Sequence, residues 1–171
     1  PYAIYARHIL KLKPLDPLDA DPGAAEKGTL IHQILEKFMT AYPGDLPPDA
    51  LTRLLDIGRN AFAAFIARPA VQAFWWPRFV HVAEWFVAME QTRRRTHVTV
   101  VSEGSGVLNV GAFAVTAKAD RIDRGPDGGL VIIDYKTGNA PTPRELFAGY
   151  APQLPVEGLM AAAGGFPQVP A

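Results

Sequence analysis

The hydrophobic pattern of this chain changes period once, at Arg93, and that change limits what the chain can fold into. Before Arg93 apolar residues recur at helical spacing; after it they alternate. Over Ala24–Tyr42, the residues Ile31, Ile34, Leu35, Phe38 and Tyr42 fall on one stripe, which predicts an amphipathic helix stopped by Pro43-Gly44. Pro47-Pro48-Asp49 opens a second helix over Asp49–Arg68, with Leu51, Leu54, Leu55, Phe62, Phe65 and Ile66 as its apolar set. A shorter helix is expected over Tyr2–Lys13, with Arg7, His8, Lys11 and Lys13 as a basic side. Phe74, Trp75, Trp76, Phe79, Trp85 and Phe86 form a dense aromatic stretch that reads as core, with one ring at most left for stacking on a base.

Beyond Arg93 the alternation predicts strands around Thr96–Val101, over Val107–Gly111 and over Ala112–Asp123. The last of these carries Phe113, Val115, Ala117 and Ala119 on one face and Thr116, Lys118 and Asp120 on the other. Arg124–Gly129 is a turn cluster, and Leu130–Lys136 is a nearly continuous apolar strand, expected to be central and buried. Thr137–Pro143 reads as a loop, and Tyr150–Ala163 as a closing helix. Helices, an antiparallel meander and a final helix give an α+β (mixed α/β) class: a small central, mostly antiparallel or mixed sheet flanked by helices.

The 171 residues suit one domain, and their 49% apolar content excludes disorder as the main state. Lys and Arg balance Asp and Glu at 17 each, which argues against a tail-like electrostatic binder and leaves nucleic acid to local patches. With no cysteine, a disulfide scaffold, a Cys nucleophile and an iron–sulfur cluster held by these residues are all excluded. The same lack fits a cytoplasmic setting. No apolar run reaches the ~18–20 residues of a membrane span. The start at Pro1 and the loop-like end suggest a single domain, 1–171, cut from a longer protein.

The chemistry concentrates in the last hairpin. Folding back near Pro126-Asp127 brings Asp120 opposite Asp134 or one residue away, and opposed Cβ atoms lie ~4.5–5.5 Å apart. Two such carboxylates repel until a proton or a cation intervenes. Asp134 also interrupts the apolar run Leu130–Ile133, where an unpaired charge is costly. A hard divalent cation answers both problems. Lys136, two residues on, reaches the same point and can orient a water or neutralise a phosphate. Taken alone, Asp-x-Lys at a strand end is a surface pair of little worth; Asp120 on the neighbouring strand lifts it above that. Upstream, Gly28 and His32 are four apart on one helix face. Gly28 permits a close approach, and His32 is a candidate metal ligand. Gln153, with one donor and one acceptor side, can hold a phosphate or a water.

Together, the segments Pro1–Arg7, Gly28-x-x-x-His32, Lys118–Asp123, Asp134-Tyr135-Lys136-Thr137-Gly138 and Gln153-Leu154-Pro155 resemble the RecB-family branch of the PD-(D/E)xK nucleases over nearly the whole chain. Within that branch they look most like the C-terminal nuclease domains of AddB-type subunits, which work with the helicase/nuclease subunit AddA on double-strand breaks. The resemblance implies a restriction-endonuclease-like fold and metal-assisted hydrolysis of DNA, as an exonuclease in recombinational repair. It implies Mg²⁺ or Mn²⁺ held by His32, Asp120, Asp134 and the Tyr135 carbonyl. Lys136 would activate the attacking water, and Gln153 would support the phosphate or the water. The basic side of Tyr2–Lys13 and the run Arg93-Arg94-Arg95 would follow a single strand, although solvated surface is an equally good account of the arginines. Relatives often carry Tyr four residues after the Gln; here that residue is Glu157. Two rivals fit part of the pattern. One is a nuclease fold that has lost catalysis and binds DNA or scaffolds a partner, which retention of Asp120, Asp134 and Lys136 opposes. The other is an acidic hairpin holding a structural cation, which leaves Gly28, His32 and Lys136 unexplained.

Overall fold

The computed structural model describes residues 24–63 and 71–169, with positions 2, 5 and 9–11 before them. Most of the helix expected over Tyr2–Lys13, with Arg7, His8 and Lys13 of its basic side, and the part of the second helix that carries Phe65 and Ile66 lie outside the described residues. The order is α1 (Ala24–Ala41), α2 (Ala50–Phe62), a π-helical turn (Val71–Trp75), α3 (Trp76–Arg93), β1 (Val98–Val110), β2 (Phe113–Arg124), β3 (Leu130–Ile133), α4 (Pro143–Phe147) and α5 (Gln153–Ala162). The sheet is antiparallel, in the order β1-β2-β3. The mixed α+β class is as expected. No described helix is long and apolar enough to cross a membrane.

Two cores sandwich the site. The stripe of α1 (Ile31, Ile34, Leu35, Phe38) packs with Leu54 and Phe62 of α2 and with Phe79, Ala83 and Phe86 of α3. The aromatic stretch is therefore core at Phe79 and Phe86, but Phe74 and Trp85 point outward. Gly58 is required where α2 crosses α3, since a Cβ there would lie 2.2 Å from the Phe79 ring. The second core joins Val101, Ala119 and Ile122 of the sheet to Met160 of α5 and to Phe166.

The strands differ from expectation in three ways. Val98–Val110 is one strand rather than two, and its outer half, with the matching half of β2, leaves Val107, Val110, Phe113 and Val115 exposed. The last strand lies at the edge of the described sheet, with half-buried or exposed residues rather than central and buried ones, and it ends at Ile133, so Asp134–Lys136 lie beyond the ladder. There the Tyr135 N–H donates to the Asp120 side chain instead of a strand carbonyl (2.8 Å). Alternation along β2 also slips. Ala117, Ala119 and Ile122 all join the α5-side core, whereas Arg121 and Asp123 turn to Glu90 and Arg93 of α3. The change of face falls between Ala119 and Arg121, close to the ladder's register shift between Thr99 and Val101. Ser102 pairs with Arg121 and Gly104 with Ala119, leaving Glu103 facing Asp120 between them, with Glu103 at φ +58°. A left-handed non-glycine backbone is costly and is held only where its surroundings demand it.

Between the expected loop Thr137–Pro143 and the closing helix, where the sequence assigns nothing, lies a short helix, α4. Thr142 caps α4: its side chain accepts from the Glu145 N–H while Glu145 reaches back to the Thr142 N–H, with Pro143 in the first turn. The closing helix is correspondingly shorter than Tyr150–Ala163, beginning at Gln153.

Candidate active site

Asp120 lies where β1, β2, α1 and the end of β3 meet. The Tyr135 N–H holds its Oδ2 at 2.8 Å, and His32 Nδ1 approaches the same oxygen to 3.5 Å. Gly28, one turn before His32, packs closely against the loop after Lys136: a Cβ there would stand 3.1 Å from Thr137 Oγ1, a tight contact. Ligand atoms of His32, Glu103 and Asp120 all lie within 4.8 Å of one another. Burial pushes the Asp120 carboxyl up, the Tyr135 N–H and His32 oppose this, and the charges of Asp134 and Glu103 add to the rise. An open groove of about 400 Å³, lined by Gly28, His32, Glu36, Glu103 and Lys118, leads to Asp120. Lys118 pairs with Glu103 across the strands, and that carboxylate raises its affinity for its proton.

Asp134, Lys136 and Gln153 form the other half. Lys136 Nζ donates to Asp134 Oδ1 at 2.9 Å and lies 2.7 Å from Oδ2. It also donates to Gln153 Oε1 at 3.0 Å. Gln153 Nε2 donates to Asp134 Oδ1 at 2.8 Å and to Glu157 Oε1 at 3.2 Å. The side chain of Asp134 is 5% exposed against 39% for Lys136, so the ammonium sits at the rim with the Asp134 carboxylate behind it. The structure thus gathers His32, Asp120, Asp134, Tyr135, Lys136 and Gln153 into one region. Asp134 is not among the three residues whose ligand atoms cluster; its carboxylate is engaged by Lys136 and Gln153.

Two residues escaped the sequence analysis. Glu103 belongs to the cluster, and counting back from the two-residue turn Gly111-Ala112 would have put it opposite Asp120. Glu157, noticed only as a departure from relatives, is buried beneath Gln153.

Behind the site runs a second set of charges. Arg121, 1% exposed, pairs with Glu90 and Asp123 and donates to the Tyr135 hydroxyl at 3.2 Å. The Tyr135 ring meets Phe86 and His32 edge-on. Arg93 binds Asp123 at 2.5 Å, and Arg94 binds Glu90 at 2.6 Å as well as the Tyr42 and Gly44 carbonyls. Two arginines of the run at 93–95 are therefore internal struts, neither tracking a strand nor forming solvated surface; only Arg95 is exposed.

The family model of the PD-(D/E)XK nuclease superfamily matches residues 1–171. An uncharacterized protein of Rickettsia bellii is 32% identical over 170 residues, covering 97% of this chain and 20% of its own length. Uncharacterized proteins of Rickettsia conorii and Rickettsia felis are each 29% identical over 174 residues, again covering 97% of this chain. The chain spans about one fifth of the length of these curated relatives. No solved structure matches it. With the superfamily matched from end to end, and with carboxylates, an imidazole and a lysine converging at the end of a three-stranded sheet, the chain belongs to the PD-(D/E)XK nuclease superfamily.

Proposed function

We propose that this chain is a divalent-metal-dependent deoxyribonuclease domain of a longer, cytoplasmic protein. It would act as an exonuclease on single strands delivered by a helicase, in an AddB-like role beside an AddA-like helicase/nuclease subunit, during double-strand break processing. The observation that carries this reading is the convergence of His32, Glu103 and Asp120 within 4.8 Å of one another, beside a lysine gripped by Asp134 and Gln153.

The donor set fits a hard cation. Carboxylate oxygens with one imidazole suit Mg²⁺ or Mn²⁺, and the ligand atoms of His32, Glu103 and Asp120 stand close enough together to share one ion. His32, Asp120 and Glu103 would hold it, with Asp134 and the Tyr135 carbonyl completing the shell. When bound, the ion supplies positive charge to the reacting phosphate and lowers the pKa of nearby water. The remaining work falls to the chain. The Tyr135 N–H fixes the Asp120 carboxylate, and Asp134 and Gln153 aim the Lys136 ammonium. Lys136 orients water or neutralises a phosphate oxygen as the water oxygen–phosphorus bond forms and the ester bond breaks.

The test uses the full-length protein with its helicase partner, in a background where any second nuclease domain is inactive. Asp134→Ala and Lys136→Ala should each lower cleavage of labelled single-stranded DNA in Mg²⁺ by roughly 10²–10³ or more, while unwinding continues. Asp134→Ala should also weaken Mn²⁺ binding, which Lys136→Ala should leave largely intact. Near wild-type cutting by both variants would replace this reading with that of a DNA-binding or scaffolding module.

A further inference from the structure

Gln153 and Glu157 are four residues apart on α5, so both side chains leave the same face of the helix. They do different things there. Gln153 reaches the rim and touches Asp134 and Lys136; Glu157 stays beneath it, 1% exposed. One oxygen of Glu157 accepts from Gln153 Nε2 at 3.2 Å, and the other, Oε2, is buried with no hydrogen-bond partner among the described residues. A carboxyl in such a place is expensive, and an apolar residue would pack there at less cost.

What the carboxyl provides is a direction for the amide above it. The amide group of Gln153 faces two acceptors, Asp134 Oδ1 and Glu157 Oε1, while its carbonyl faces the Lys136 ammonium. Turned by 180°, the carbonyl would oppose two carboxylate oxygens and the NH₂ would oppose an ammonium. Asp134 would hold the amide less firmly once a cation draws on its oxygens, whereas Glu157, one layer deeper, would keep its bond. We propose that Glu157 is a positioning residue: its Oε1 locks the Gln153 amide so that the Gln153 carbonyl aims Lys136 at the reacting phosphate. This rests on the nuclease reading above and assigns that site a residue in a second layer. Burial raises the Glu157 carboxyl's hold on a proton, with the charges of Asp134 and Asp120 adding to the rise and Gln153 and Lys136 opposing it. Because acceptance through Oε1 leaves Oε2 free to carry that proton, the positioning role holds in either protonation state.

The experiment compares wild type, Glu157→Leu, Glu157→Gln, Gln153→Ala and the double variant Gln153→Ala/Glu157→Leu in the full-length protein with its helicase partner, other nuclease domains inactive. Single-strand cleavage gives kcat and KM; Mn²⁺ titration and thermal unfolding are measured on the same samples. Glu157→Leu should lower kcat by roughly 10- to 100-fold, the scale of a misaimed catalytic group. KM and Mn²⁺ affinity should stay within about twofold, and the unfolding midpoint should not fall, since Leu removes a buried unmatched oxygen. Glu157→Gln, whose amide carbonyl can still accept, should recover most of kcat. The double variant should be no slower than Gln153→Ala alone, because Glu157 acts only through Gln153. Wild-type kcat in Glu157→Leu, failure of Glu157→Gln to exceed it, or full additivity in the double variant would each overturn the assignment. If Glu157→Leu does not fold, the recovery by Glu157→Gln decides: wild-type-like kcat supports the proposal and a 10-fold or greater loss overturns it. If wild type itself does not cut, or Asp134→Ala cuts as well as wild type, the nuclease reading fails instead, and the two failures are distinct.

Discussion

Asp120 and Asp123 stand three residues apart in β2, and their surroundings drive them in opposite directions. Burial acts on both carboxyls and would raise both. At Asp123 two guanidinium groups, Arg121 and Arg93, more than reverse it, and the carboxyl is held below its ordinary value. At Asp120 only a backbone N–H and His32 push back, while Asp134 and Glu103 add negative charge, and the carboxyl ends above its ordinary value. Asp123 is wholly enclosed, whereas the Asp120 side chain keeps 15% exposure at the end of a groove. The difference shows what separates a structural charge from one available for chemistry. Both are partly or wholly buried and both sit beside a basic residue, but only Asp123 has its charge matched within the fold. Asp120 is left with a deficit that something from outside must fill.

The largest effect that can break this comparison is on stability. Removing one partner of a buried, matched pair costs about 3–5 kcal/mol. Asp123→Ala should fall in that range by denaturant unfolding and take activity down with the fold. Asp120→Asn should leave the metal-free protein as stable as wild type or more so, yet inactive. Equal destabilisation by the two changes would mean that Asp120 is a strut like Asp123.

A second test adds metal. A cation that binds only the folded chain stabilises it by about 2.7 kcal/mol at a hundred times its Kd. Mn²⁺ should raise the unfolding midpoint of wild type accordingly. The gain should be lost in Asp120→Asn and reduced in Glu103→Gln and His32→Ala. In Arg93→Lys, a milder change on the matched side, it should persist. Loss of the Mn²⁺ effect there as well would show the two clusters acting as one.

Much of this contrast was legible in the sequence, and the rest was hidden for physical reasons. Period and turn residues located α1, the start of α2, the β2–β3 hairpin and α5, because these depend on local spacing, whereas α3, read only as an aromatic stretch, and α4 were not assigned as helices. Gly28 was legible as a close approach, though its neighbour Thr137 was not. Glu103 was hidden because a break was expected between Val101 and Val107, where a continuous strand with one left-handed residue runs instead. Close to that residue β2 leaves strict alternation, so no face assignment from spacing alone could send Asp120 to His32 and Arg121 to Glu90. The arginine run illustrates a different limit. A row of like charges looks like surface until distant acceptors arrive, Asp123 for Arg93 and the Tyr42 and Gly44 carbonyls for Arg94, although Glu90, one turn before Arg94 on the same helix, was within reach of spacing.

The smallest expected effect is the sharpest, because its sign differs between the two aspartates. The ordinary carboxyl value is 3.8 for each. Asp123 titrates below it when folded, so its contribution to stability is complete above 3.8 and is lost as pH falls through the folded value. Asp120 titrates above it when folded, so its ionised form costs stability near neutrality, and that cost is relieved as pH falls through the raised value toward 3.8. In metal-free protein, the advantage of Asp120→Asn over wild type should therefore be largest near pH 7 and shrink before pH 3.8 is reached. The deficit of Asp123→Asn should hold constant over that same window and narrow only below it, as wild type loses what Asp123 provides. Denaturant midpoints of the three proteins from pH 7 to pH 3 read both differences directly. If the two differences shrink together over one window, the aspartates share an environment, and the division between a matched and an unmatched charge on this strand is wrong.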